Sequence, residues 1–194
     1  MPKVEAHRGF SSSSEAVVLL SGGMDSAACV HLLKQGGHAV RALFLDYGQA
    51  AAVAERRAAA CVAAHLEVAL SEVALTGAHR FGAGELTGRN AFFVFSALFL
   101  ARPDRGVVAL GVHAGTPYFD CSPAFVEAAD RLVAEHTDGR VRLLAPLLFW
   151  TKADVLDYCR SVGLPLDRTY SCEAGTEPAC GACASCRDRA ALGC

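Results

Sequence analysis

The 194-residue sequence holds no apolar run near the ~20 residues of a membrane-spanning helix. Its most hydrophobic stretch, 91–101, is short and reads as a buried helix. Charge of one sign is also missing. A formal net charge of -2 argues against a nucleic-acid binder working through bulk electrostatics. The first ten residues, MPKVEAHRGF, lack the apolar core of a secretory signal. With the serines that follow, they are expected to form a flexible tail over 1–15, and the expected location is the cytoplasm. Histidines 7, 31, 38, 65, 79 and 136 show no metal-ligand spacing. No internal repeat and no low-complexity linker divides the chain, so one domain of ordinary size is expected, with at most a small appendage. A hydrophobic content of 53% against 20% charged residues suffices for its core.

Cysteine, by contrast, is abundant. Of nine cysteines, Cys29, Cys61, Cys121 and Cys159 are scattered among apolar or helical neighbours. Cys172, Cys180, Cys183 and Cys186 follow a C-x7-C-x2-C-x2-C spacing, and Cys194 stands alone. The uneven pattern points to a reducing compartment and a metal site rather than to disulfides. Four thiolates at this spacing can close a tetrahedral Zn2+ site that leaves no position open for chemistry. Its role would then be structural. An iron–sulfur cluster, or four unrelated buried cysteines, are the competing readings.

Periodicity supplies the framework. Short apolar runs at 17–20, 38–45, 67–75, 106–112 and 141–144 read as strands. Helical spacing covers 26–35, 49–65, 89–102, 123–136 and 151–162. Gly36 and Gly37 stop the first helix, Pro123 opens the fourth, and Thr151 is a fitting N-cap for the fifth. Glu55, Arg56 and Arg57 are expected on an exposed face of the second helix. The third helix, apolar nearly all round, is expected to be buried. Segments 76–88 and 113–122 read as loops. Alternating strands and helices specify an α/β fold with a doubly wound, open parallel sheet over 16–166. A small zinc-binding knuckle over 167–194 follows.

The hexapeptide SGGMDS, residues 21–26, lies between the first strand and the first helix. Ligands of an open parallel sheet bind outside the carboxyl ends of its strands. A glycine turn there lets backbone N–H groups approach an anion, backed by the helix N-terminus. Ser21 and Ser26 can add hydroxyl donors. Asp25 would repel phosphate unless a Mg2+ ion stands between them. The stretch is neither GxxxxGK[ST] nor GxGxxG. An ordinary strand-to-helix turn is the plainer alternative.

SGGMDS resembles the pyrophosphate loop of the N-type ATP pyrophosphatases, which split ATP to AMP and pyrophosphate while forming an adenylate. Further segments narrow the likeness. DYGQ (46–49), GRN (88–90), GVHA (111–114), DC (120–121), APLLFWTKAD (145–154) and SCEAG running into CGACASCR (171–187) resemble, in order, the 7-cyano-7-deazaguanine synthase family. The resemblance spans most of the chain. It implies an adenine nucleotide alpha hydrolase-like fold and a two-stage ligase reaction. ATP adenylates 7-carboxy-7-deazaguanine, ammonia gives the amide, and a second ATP leads to the nitrile. It implies ATP and Mg2+ at Ser21, Gly22, Gly23, Met24, Asp25 and Ser26, with Tyr47 and Gln49 near the nucleotide. Lys152 would reach the phosphates, unless it is merely a solvated residue of a first helical turn. Arg89 and Asn90 would touch phosphate or substrate, or belong to a structural ion pair. Asp120 would bind the guanidine-like edge of the deazapurine, or cap the helix begun by Pro123. His113 would contact substrate or simply end a strand. Cys121 would be a covalent group or, more commonly, a buried thiol. A homodimer is the assembly implied.

Three departures from the family pattern bear on substrate. Segment 76–88 is short. The loop HAGTPYF (113–119) is short and lacks the acidic residue and SG step before Asp120. Glu173 stands where an aromatic is typical. Adenylation therefore stands firmer than the acid, and the acid firmer than the amine. Two alternatives follow. One is a diverged ligase that joins the acid as an amide to another amine, on a partner protein for example. The other is a non-catalytic nucleotide-binding protein.

Overall fold

The computed structural model describes residues 14–75, 77, 80–113 and 115–194. Residues 1–13 of the expected tail, and residues 76, 78, 79 and 114 of the expected loops, lie outside the described residues. Five strands form one parallel sheet in the order β3-β2-β1-β4-β5. They are β1 (Glu15–Leu19), β2 (Ala39–Asp46), β3 (Ala69–Ala74), β4 (Gly106–Ala109) and β5 (Val141–Leu144). The first strand begins two residues before the expected 17–20, because the Glu15 and Ala16 backbones pair with both Ala39–Val40 and Gly106–Val107.

Helices cover both faces, as the strand sequences require. In β1 the even side chains, Ala16 and Val18, join a core built with α1 (Met24–Gln35), α2 (Ala52–His65) and α5 (Lys152–Ser161). The odd ones, Val17 and Leu19, join a second core with α3 (Arg89–Ala101) and α4 (Pro123–His136). Both faces of β1 are therefore apolar, which is why it reads as a continuous apolar run and lies in the centre. Fully buried anchors such as Phe44, Val108, Val155 and Val133 each contribute roughly 1.5–3 kcal/mol relative to exposure. No helix among the described residues is long and apolar enough to cross a membrane.

Two expectations are corrected. The third helix is not buried all round. Only Asn90, Val94 and Ala97 are buried, and Phe92, Phe99 and Leu100 remain exposed. It covers the sheet on one side and borders α4, but among the described residues nothing covers its outer side. The triplet at 55–57 is not a uniformly solvated face either. Glu55 accepts from Gln49, and Arg56 binds Asp46 at 2.6 Å and Glu72 at 3.3 Å, leaving Arg57 outermost. The chain runs from β1 through β2 to β3 on one side, then crosses back to β4 and β5. That reversal opens a crevice outside the carboxyl ends of β1 and β4.

Candidate active site

The hexapeptide divides where the crevice opens. Ser21, Gly22 and Gly23 form the turn, while Met24, Asp25 and Ser26 already belong to α1. Gly22 has φ +82°, and a Cβ there would lie 2.6 Å from Ala59 N and 2.8 Å from the Glu55 carbonyl oxygen. The turn is thus pressed onto α2, which only glycine permits. Its carbonyl accepts the Tyr170 N–H at 3.0 Å. No side chain caps α1. The Ser26 hydroxyl instead donates to Gly23 O at 3.0 Å and lies 3.3 Å from Ser21 Oγ. Uncapped first-turn N–H groups, the positive end of the helix and two hydroxyls make a site suited to an anion. Met24 can offer only its backbone, because its side chain is in the core.

Two cationic-type side chains face Asp25. Lys152 Nζ donates to Asp25 Oδ2 at 2.5 Å, and His113 Nε2 is 4.0 Å from the same oxygen. Lys152 is placed by the cap of α5. Thr151 and Asp154 form a reciprocal capping box, as the expected N-cap allowed. The Thr151 hydroxyl and N–H hold the Asp154 carboxyl below its ordinary range. A lysine in a first helical turn is mildly disfavoured by the dipole, and Asp25 offsets this. The other oxygen, Asp25 Oδ1, is buried and makes no hydrogen bond. An orphaned carboxylate oxygen beside an anion cradle fits a Mg2+ ligand.

A cavity of about 310 Å3 is walled by Tyr47, Leu75, Phe81, Leu86, Arg89 and Phe92. Tyr47 packs on Phe81 and Phe93 with ring centroids 5.8 and 5.2 Å away. Burial pushes its phenol up, against the pull of Arg89. The Arg89 guanidinium lies 6.0 Å from the Phe93 ring centroid, and its Nε is buried without a hydrogen bond. A buried unsatisfied guanidinium donor is costly and points to an anionic ligand. The sequence reading missed Glu55, hidden in a run of charges. Burial raises its carboxyl above the ordinary range, opposed by the bond from Gln49 and by Arg89. Only its place in the first turn after DYGQ could have marked it.

Three of the expected contact residues also make bonds within the chain. Gln49 is buried, its oxygen accepting the Tyr47 N–H and its amide donating to Leu45 O and Glu55. It braces the turn that carries Tyr47. Asp120 does cap a helix, but it is α3. It accepts the Asn90 N–H at 3.2 Å, while Asn90 Nδ2 donates to Asp120 O at 2.9 Å. Ser122 caps α4 instead. Asn90 and Asp120 therefore fix the helix that presents Arg89. Burial raises the Cys121 thiol.

Behind the turn, the Sγ atoms of Cys172, Cys180, Cys183 and Cys186 lie within 4.8 Å of one another. Tetrahedral zinc at ~2.3 Å from each sulfur needs separations of ~3.8 Å, and Cys180 and Cys186 are 3.9 Å apart. Backbone N–H groups of Cys180, Ala182, Cys183 and Cys186 point at the sulfurs at 3.3–3.4 Å. Such donors stabilise thiolates, so the residues fit a closed metal centre. The helix that completes it, α6 (Ala184–Ala191), is tied back by Arg189 to Leu166 O and Thr169.

Sheet order, switch-point crevice and glycine turn together define the adenine nucleotide alpha hydrolase-like class of α/β proteins. Solved structures agree at the level of fold. U34-tRNA thiolase NcsA from Methanococcus maripaludis matches with a TM-score of 0.56 and 15% identity, over 84% of this chain and 61% of that one. The NH3-dependent NAD synthetase of Campylobacter jejuni matches with 0.51 and 18%, over 83% and 71%. Sequence relatives are nearer. A 7-cyano-7-deazaguanine synthase of Synechococcus sp. is 35% identical, over 90% of each chain. Another, from Methanoculleus marisnigri, is 33% identical over 90% of this chain and 91% of its own. The family described as "Queuosine biosynthesis protein QueC" matches residues 15–89 and 86–192. The chain belongs to that family.

Proposed function

We propose that this chain is an ATP-dependent ligase of queuosine-precursor synthesis. It adenylates 7-carboxy-7-deazaguanine and, with ammonia, converts it through the amide to 7-cyano-7-deazaguanine, releasing AMP and pyrophosphate. The observation that carries this is the convergence at the switch point. The switch point offers an uncapped helix N-terminus and Asp25 bound to Lys152, and Arg89, with its Nε unsatisfied, lines a cavity, in a chain of the QueC family. The roles follow from placement. Turn N–H groups, Ser21 and Ser26 hold the β- and γ-phosphates that leave as pyrophosphate. Lys152 neutralises charge that grows at the α-phosphate. The cavity of about 310 Å3 suits a bicyclic heteroaromatic acid, and pockets of ~300 Å3 and above hold small ligands. Tyr47 and Phe81 flank its ring while Arg89 orients its carboxylate. His113 borders the reacting carbon beside Asp25. Mg2+ held by Asp25 Oδ1 would shield the phosphates from this carboxylate, and zinc held by the four cysteines would pin the C-terminal segment. Chemistry is thus mostly positioning, charge neutralisation and exclusion of water from the adenylate.

Glu173, in place of an aromatic, and the short loops favour one second reading: a ligase that stops at the amide, with another amine as acceptor. The bare outer side of α3 supports pairing of two copies, and a monomeric sedimentation value at micromolar concentration would remove that element. Incubation with the acid, ATP-Mg2+ and ammonia, followed by mass analysis, separates the readings. Nitrile supports the proposal, and amide alone supports the second. No pyrophosphate release with the acid present sinks both and leaves a nucleotide-binding protein.

A further inference from the structure

We propose that Glu173 is a positioning residue that fastens the wall of the Arg89 cavity to the metal-binding segment. Its carboxylate joins two parts of the chain. Oε2 accepts the Gly84 N–H at 3.0 Å, at the tip of the loop between β3 and α3. Oε1 accepts both the N–H and the hydroxyl of Ser185, at 3.2 and 2.9 Å, on the helix between Cys183 and Cys186. Gly84 lies between Phe81 and Leu86, which both line the cavity. Residues 82–85 are exposed, so packing does little to hold the tip.

The other anchor of this loop leads to the same place. Phe81 pairs with the chain before α2, accepting the Ala50 N–H at 2.9 Å and donating to Gly48 O at 3.0 Å. The turn after Glu173 rests on Ala50: a Cβ on Gly175, whose φ is +71°, would meet the Ala50 carbonyl oxygen at 2.2 Å. The loop is thus held at Phe81 by the chain before α2 and at Gly84 by Glu173 of the cysteine segment, which itself packs on Ala50. An aromatic residue at 173 could accept neither N–H. The acid and the short loop therefore work as a pair in this chain. With Gly84 held, the wall from Phe81 to Leu86 stands ready before the ligand arrives, which lowers the ordering cost of binding. This consequence for binding rests on the cavity being the acid's site; the clasp itself does not.

Glu173→Gln tests it, because an amide offers one acceptor oxygen where the carboxylate offers two. Trypsin cleavage after Arg80 should become about fivefold faster as the tip loosens. KM for the acid should rise about tenfold with kcat within about twofold, the pattern of lost binding rather than lost chemistry. Zinc per chain and KM for ATP should not change. Ser185→Ala, which leaves the Gly84 bond in place, should keep the wild-type cleavage rate. Unchanged cleavage in Glu173→Gln, or loss of its zinc, overturns the proposal, the latter by making Glu173 a support of the metal centre. Should that variant fail to fold, amide exchange in the wild-type protein decides: Gly84 must exchange more slowly than Gly82, and equal rates refute the clasp. Cleavage and exchange involve no acid. If they behave as expected while the acid proves not to be a substrate, the clasp stands and the ligand assignment falls.

Discussion

Lys152→Gln separates a catalytic lysine from a structural one. The native ammonium bonds Asp25 at 2.5 Å, and the two side chains are 26% and 24% exposed. Removing one partner of a fully buried pair costs about 3–5 kcal/mol, and exposed pairs are worth about 0–1. A pair three-quarters buried falls between them, at about 1–2 kcal/mol. For a chain of this size that lowers Tm by roughly 2–8 °C. The effect on turnover should be far larger. Loss of a preorganised group that stabilises charge in the transition state costs about 10²–10³ in kcat. The assay is acid-dependent pyrophosphate release at saturating ATP-Mg2+, beside a thermal melt. Asp25→Asn combined with Lys152→Gln supplies the control. Two neutral amides of similar shape should recover most of the stability and none of the activity. Pyrophosphate release by Lys152→Gln within about threefold of wild type would refute a phosphate-facing lysine. So would an activity loss fully restored by the double variant.

Gly22→Ala forces a methyl to within 2.6–2.8 Å of α2 backbone in a left-handed conformation. The penalties of about 1–2 kcal/mol for the dihedral and about 1–3 for overpacking predict a loss of roughly 2–5 kcal/mol in denaturant unfolding; a change under ~0.5 would show that the turn is not pressed on the helix. Cys183→Ser should abolish stoichiometric zinc binding and depress pyrophosphate release, since Tyr170 N–H holds the Gly22 carbonyl; zinc retained at one per chain would disprove the four-thiolate centre. Glu55 has its folded pKa raised by burial, so the native state binds its proton more tightly than the unfolded chain. Stability relative to Glu55→Gln is therefore greatest below the unfolded value of ~4.3 and declines as pH rises through the folded value. Denaturant midpoints of the two proteins across acidic pH check this, and a difference that grows with rising pH would contradict it.

The strands and helices were legible because their signals are local. Pro123 opens α4, and the alternate apolar residues of 16–20 serve two cores at once. The glycine turn of 21–23 was legible for the same reason: strand, glycines and helix are contiguous. What the sequence hid depends on distant partners. Asp120 caps a helix 30 residues earlier, a pairing no local pattern marks. Gln49 bonds inward because the Glu55 carboxylate lies within reach, a pairing that the family resemblance did not mark. The exposed side of α3 reflects which neighbours exist in one chain, not its own hydrophobicity. Glu173 looked like a departure from a pattern, and its two partners, Gly84 and Ser185, come together only in the fold.

The central claim is that this crevice activates a carboxylate as an adenylate. Turnover of 7-carboxy-7-deazaguanine carrying 18O in both carboxylate oxygens tests it most directly, with the label followed by mass. Attack of carboxylate oxygen on the α-phosphorus, then displacement by ammonia, transfers one 18O to AMP and none to pyrophosphate. Activation of the amide oxygen transfers the second. The account predicts two singly labelled AMP molecules for each nitrile formed. Label in inorganic phosphate with release of ADP, or AMP without label, would contradict it.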